Sequence, residues 1–150
     1  MDFNIVLAQL KIGYGNLEEA FQDLQTFINQ TKPLSRSLLI LPEMWPSGFN
    51  REKLSHSISK SHEIQDRFKA LASKHRIYIA VPIPLRIPTN TEKAFNSFIC
   101  LSPEGKLIGE YHKLHLFPLT NERGPPRGRS AASGRPRRGA PGGHARAGRR

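Results

Sequence analysis

The chain has 150 residues, which is room for one domain of ordinary size and not for two. Hydrophobic residues make up 37%, and a formal net charge of +11 with a pI near 10.4 points at first sight to a polyanion partner. A lone cysteine, Cys100, excludes an intrachain disulfide framework; the opening MDFNIVLAQL lacks the pattern of a signal peptide, and no apolar run approaches a membrane span, so the expected setting is cytoplasmic with no membrane partner.

Residues 3–10 (FNIVLAQL) are a short apolar run with β-branched members and read as a buried strand. Gly13 and Gly15 follow as turn punctuation. Asn16 stands where a helix N-cap belongs, with Glu19 three residues on to close a capping box. Leu17, Ala20, Phe21, Leu24, Phe27 and Ile28 then recur at helical spacing, and Pro33 marks the end of that helix. Residues 37–41 (SLLIL) are apolar without alternation, as in a strand buried on both faces or in a parallel sheet, and they run into Pro42-Glu43. WPSGFN, residues 45–50, reads as loop.

A second helix is expected over 61–75, with Ile64, Phe68, Leu71 and Ala72 on one face. Residues 77–83 form a third strand, and its ending at Pro82 and Pro84 suggests a sheet edge or a strand exit. Residues 95–101 and 106–112 are two more strands. Between them Ser102-Pro103-Glu104-Gly105 puts proline second and glycine fourth, as a type I turn prefers, so a hairpin is expected. The order β-α-β-α-β-β-β places the chain in the α/β class, with helices packed on a sheet.

The pattern stops at Glu122. Residues 123–150 hold nine arginines, seven glycines and four prolines in 28 positions, with no lysine, acid, aromatic or large aliphatic residue. Such a segment buries too little apolar surface to offset the entropy of ordering it, so disorder is expected. Residues 1–122 keep 14 basic groups against 12 acids, an ordinary near-neutral balance. The basicity of the whole chain is therefore the tail's. Without aromatics for stacking or a regular repeat, the tail would bind nucleic acid only weakly and without specificity.

Three stretches stand out for candidate chemistry, the third of them, Phe95–Lys106 (FNSFICLSPEGK), leading into the second. In Leu39–Asn50 (LILPEMWPSGFN) an apolar strand delivers Glu43 at its carboxyl end, where open α/β sheets place ligands. Partial desolvation there would raise its pKa toward the range of a general base; taken alone, a solvated loop acid is the heavier reading. In Gly109–Pro118 (GEYHKLHLFP) Lys113 lies at the end of a strand. Its ammonium is either an oxyanion stabiliser near a reacting centre or an exposed edge lysine, and edges favour lysine. His112 and His115 bracket it, but two histidines without a third ligand are poor grounds for a metal site, and none is expected.

Together these stretches resemble the nitrilase superfamily of carbon–nitrogen hydrolases. LPEMWPSGFN resembles its glutamate motif, a strand ending in Pro-Glu before a small-Gly-aromatic turn. FNSFICLSPEGKLIGEYHKLHLFP resembles its lysine motif, in which an Asn-Ser strand, an acid-Gly-Lys turn and an aromatic-x-Lys-x-His segment follow in order. The match covers residues 3–122. It implies part of a four-layer α-β-β-α sandwich, a small amide (less readily a nitrile) as substrate, no cofactor, and a homodimer. It implies Glu43 as general base, Lys113 as oxyanion stabiliser, and Glu122, the last acid, as candidate for a second, structural glutamate. Trp45 and Phe49 would either line a wall of the pocket or pack in the core.

The family's nucleophile is a cysteine that follows the lysine motif, and here none does. Cys100 precedes Lys113, shares a strand face with Asn96 and Phe98 by alternation, and is read as structural. The expectation is therefore a hydrolase half (1–122) without its nucleophile and inactive on its own, followed by an unrelated tail (123–150). Body lysines giving way to arginine, glycine, proline and alanine is what an out-of-frame read of GC-rich coding sequence yields, and a splice variant looks the same.

Overall fold

A computed structural model describes residues 3–13 and 16–116. Its elements are β1 (Asn4–Leu7), α1 (Leu17–Thr31), β2 (Ser37–Ile40), α2 (Arg51–Ser59), α3 (Ser61–His75), β3 (Tyr78–Ile87), β4 (Asn90–Leu101) and β5 (Leu107–His112). They build one five-stranded sheet in the order β1-β2-β3-β4-β5. β1, β2 and β3 run parallel, linked by helical crossovers, while β4 and β5 are added as antiparallel hairpins. Of the four layers that the resemblance implies, the described residues form two, helices on one sheet. Glu122 and the 123–150 segment lie outside the described residues.

Local chemistry accounts for most of these bounds. Asn16 accepts from the Glu19 amide at 3.0 Å while the Glu19 carboxylate takes the Asn16 amide at 3.1 Å, so the capping box closes. α1 ends when Lys32 turns left-handed, one residue before Pro33. Its stripe then meets one face of the sheet. Leu24, Ile28, Ile64, Phe68 and Ala72 from α1 and α3 close on Leu39, Ile79, Val81, Ile83, Ile99 and Leu101. The alternate positions of β3 and β4 supply this face because side chains in a strand have period two.

Three sequence expectations change. α2 adds a helix to the expected order: its segment carries no apolar stripe, and it starts because the Asn50 side chain caps the Lys53 amide at 3.1 Å. β1 is not buried as a whole. Among the described residues it is the outer strand, and although Val6 and Ala8 reach the core, Ile5 and Leu7 stay 63% and 70% exposed on the face away from the described helices. β3 runs straight through Pro82 and Pro84 to Ile87.

That continuation has a simple cause. The Ala80 carbonyl accepts from Leu41 N–H, so the even-numbered residues of β3 turn their backbone groups toward β2. Pairing with β2 ends at Ala80. Beyond it no strand among the described residues pairs on that side, and Pro82 and Pro84 forfeit no ladder bond there. Among the described residues the expected edge is thus one flank of a strand whose other flank pairs with β4.

The β4–β5 turn forms as expected. Gly105 N–H donates to the Ser102 carbonyl at 2.9 Å, and Gly105 takes φ +73°. A Cβ there would stand 2.7 Å from the Lys69 carbonyl of α3. Gly105→Ala should therefore lower stability by about 1–3 kcal/mol, through both the left-handed backbone and the clash. Urea unfolding followed by circular dichroism checks this; a variant as stable as the parent would mean that the turn is not held against α3.

Candidate functional site

Glu43 leaves the carboxyl end of β2 between buried neighbours. Leu41 is in the core on one side and Met44 and Trp45 on the other. Trp45 is 1% exposed, with its ring 4.8 Å from Phe21 and 5.0 Å from Phe68, both edge-on. The turn after it is fastened to the segment before α1. Gly13 N–H donates to the Pro46 carbonyl at 3.1 Å, Lys53 Nζ donates to the Gly13 carbonyl at 2.9 Å, and Gly48 at φ +57° packs directly on Gly13. Of the two aromatics proposed for a pocket wall, Trp45 is thus a core residue, while Phe49 is exposed.

Lys113 follows β5. Its backbone N–H donates to the Asn96 carbonyl at 2.8 Å, which continues the β4–β5 ladder by one bond. Its Nζ lies 2.8 Å from Glu43 Oε1. Asn96 Nδ2 donates to the same oxygen at 2.9 Å. The sheet thus joins residues 70 apart in sequence into one cluster of carboxylate, ammonium and amide, open to solvent on one side.

The electrostatics reverse one expectation. Glu43 was expected to titrate high through desolvation. Instead, the hydrogen bond from Lys113 holds its carboxyl below the ordinary value, and burial, which pushes the other way, is outweighed with further help from Asn96 and the Lys113 charge. Glu43 is therefore an ionised acceptor at neutral pH, with an ammonium already in place beside it.

Of the two histidines that bracket Lys113, His112 is engaged by its neighbours on both ring nitrogens. His112 Nδ1 lies 2.8 Å from Ser97 Oγ, its Nε2 lies 3.2 Å from Glu110 Oε1, and its ring stacks on Phe95 at 4.2 Å. His115 is exposed. Among the described residues no group of three or more His, Cys, Asp or Glu is arranged to hold a metal, and no helix is long and apolar enough to cross a membrane.

Cys100 lies on the Asn96–Phe98 face, opposite Gly109. Four residues of strand, roughly 13 Å, separate it from Asn96. Burial pushes its thiol up, the reverse of an activated nucleophile. A cavity of about 350 Å³ lies between the start of α1, Pro46-Ser47 and α2, and none of Glu43, Asn96 and Lys113 lines it.

The carbon–nitrogen hydrolase family model matches residues 4–147, which spans the glutamate and lysine stretches and runs past Glu122. The chain belongs to the carbon–nitrogen hydrolase family. It is 29% identical over 123 residues to 2-oxoglutaramate amidase of Bacillus subtilis (strain 168), covering 81% of this chain and 46% of that protein. Its fold matches a carbon–nitrogen hydrolase from Helicobacter pylori G27 with a TM-score of 0.70 at 18% identity, over 83% of this chain and 44% of the other. It also matches an amidase from Nesterenkonia sp. AN1, a glutamate-to-glutamine mutant showing Michael addition of acrylamide at the active site cysteine. There the TM-score is 0.68 at 15% identity, over 85% of this chain and 51% of the other. This carbon–nitrogen hydrolase chain thus spans about half the length of these relatives.

Sequence reasoning missed Asn96 as a member of the site. The signal was present, since it opens the lysine motif, but an asparagine on a strand carries no periodicity that marks it as functional.

The Glu43–Lys113 contact sets a pH dependence. A carboxylate whose folded value is lowered adds stability that is complete above its unfolded value and is lost as pH falls through the folded value. Lys113→Met should therefore melt below the parent at neutral pH, with the gap closing as the solution is acidified past the carboxylate range. The pair is half exposed, so the gap is small. Thermal melts across pH check it; a gap that is constant with pH would show that Lys113 acts by packing and not by charge.

Proposed function

We propose that this chain carries the base-and-cation half of an amide hydrolase site. Glu43 is the general base and Lys113 the oxyanion stabiliser, as the family resemblance implies. The observation that carries this reading is the 2.8 Å contact of Glu43 with Lys113 across two motifs far apart in sequence. In the complete reaction a cysteine thiolate attacks the amide carbon, Glu43 having taken the thiol proton. The developing oxyanion is met by the Lys113 ammonium, ammonia leaves with a proton returned through Glu43, and water cleaves the resulting thioester. The relatives' names, 2-oxoglutaramate amidase among them, support a small amide as substrate.

The nucleophile is what residues 1–150 do not supply at the expected place. No cysteine follows Lys113, and Cys100 is distant from the cluster and held protonated. Ammonia release from a panel of small amides and nitriles by this chain should stay at the uncatalysed level. Turnover that Cys100→Ser abolishes would overturn that reading and make Cys100 the nucleophile.

A second reading concerns the tail, whose nine arginines without one acid favour a polyanion. Filter binding of single-stranded DNA at low salt should be detectable for residues 1–150, weaken steeply with added salt, and disappear when the chain is shortened to 1–122. Equal binding by both lengths would eliminate the tail as the binding element.

A further inference from the structure

The lysine motif opens with Asn96-Ser97, and the mechanism above uses neither residue. Neighbours on a strand point to opposite faces, and these two do. Ser97 is buried on the helix side, where its Oγ meets His112 Nδ1 at 2.8 Å. Asn96 turns to the other face, where its Nδ2 donates to Glu43 Oε1 at 2.9 Å. Its own carbonyl accepts from the Lys113 N–H at 2.8 Å. Asn96 therefore holds the carboxylate through its side chain and the lysine through its main chain. Adjacent residues on β4 thus meet adjacent residues at the end of β5, Ser97 holding His112 through its side chain and Asn96 holding Lys113 through a backbone bond.

We infer that Asn96 is a positioning residue for the Glu43–Lys113 pair, fixing the carboxylate with both donors on Oε1 and leaving Oε2 as the proton acceptor. The inference rests on reading Glu43 and Lys113 as the base and cation of the site. Its physical basis is rotational. The terminal torsion of a glutamate is broad, and a lysine ammonium on a four-carbon stem follows a carboxylate through many orientations. An asparagine amide has only two side-chain torsions beyond a Cβ set by the strand backbone, fewer than glutamate or lysine, so it reaches fewer positions. Two donors on one oxygen, one of them anchored in a strand, fix the carboxylate where a lysine alone would not. Oε2 has no hydrogen-bond partner among the described residues. The amide is also neutral at every pH, so it orients Glu43 without competing for its proton.

Carbon-detected NMR of the full 150-residue chain, labelled with carbon-13, follows the Glu43 carboxyl through a pH titration. Lys113→Met reports on the pair, Asn96→Ala on the amide, and Ser97→Ala on the opposite face of the same strand. The Glu43 midpoint should rise in Lys113→Met, rise by less in Asn96→Ala, and stay in place in Ser97→Ala. An unmoved midpoint in Asn96→Ala, with Lys113→Met shifted, overturns the role of Asn96 and leaves the pair standing. An unmoved midpoint in Lys113→Met overturns the pair itself. Equal shifts in Asn96→Ala and Ser97→Ala mean a loosened hairpin, and the inference fails. Should Asn96→Ala lose its dispersed amide spectrum, Asn96→Leu, which keeps the volume and removes the donor, decides on the same readout.

Discussion

Trp45 packs edge-on between Phe21 of α1 and Phe68 of α3, and the placement of Glu43 follows from that contact. The three rings tie both helices to the segment that leaves β2, so the backbone two residues earlier has little freedom. A buried aromatic triad of this kind combines a large apolar area with defined ring geometry. The fastenings between Gly13, Pro46 and Lys53 close the turn from its other side. The acid is thus held by the hydrophobic core, while its partners Lys113 and Asn96 are held by the β4–β5 ladder. The site is where these two independently rigid parts meet.

The balance of forces at that meeting point matters for chemistry. A desolvated carboxylate alone would titrate high and would be a stronger base, though partly protonated. Lys113 reverses this by a direct hydrogen bond. Glu43 gives up basicity in exchange for being ionised throughout the physiological range. An ammonium resting 2.8 Å from that carboxylate is also preorganised, since no water needs to be reoriented when a new negative charge develops nearby. Such a cluster is prepared for negative charge that develops beside it.

Much of this was legible in the sequence, for identifiable reasons. The capping box at Asn16, the stripe of α3 and the Pro-Glu-Gly turn are local patterns, and each formed where local chemistry put it. Glu43 and Lys113 were legible only as two motifs taken together, because neither residue alone outweighs an ordinary surface charge. What stayed hidden depended on distant partners. α2 has no stripe, so the Asn50 cap and its packing had to be seen. Ile5 and Leu7 were expected to be buried because apolar runs usually are, and only the sheet order shows that β1 lies outermost among the described strands. The direction of the Glu43 titration was misjudged because its ammonium partner sits 70 residues away.

The two prolines of β3 also determine what the protein refuses. Past Ala80, no strand among the described residues pairs with β3 on its β2 side, and an unpaired backbone row is what a strand of another molecule can add to. Pro82 and Pro84 stand at the positions that would have donated on that flank, leaving carbonyls without the amides that a ladder alternates with them. Between Ala80 and Arg86 that flank offers carbonyls and no amide, so a strand laid along it would lack two of the bonds that a ladder needs. The same imino acids that the β4 pairing tolerates therefore make this stretch of β3 a poor template for a further strand.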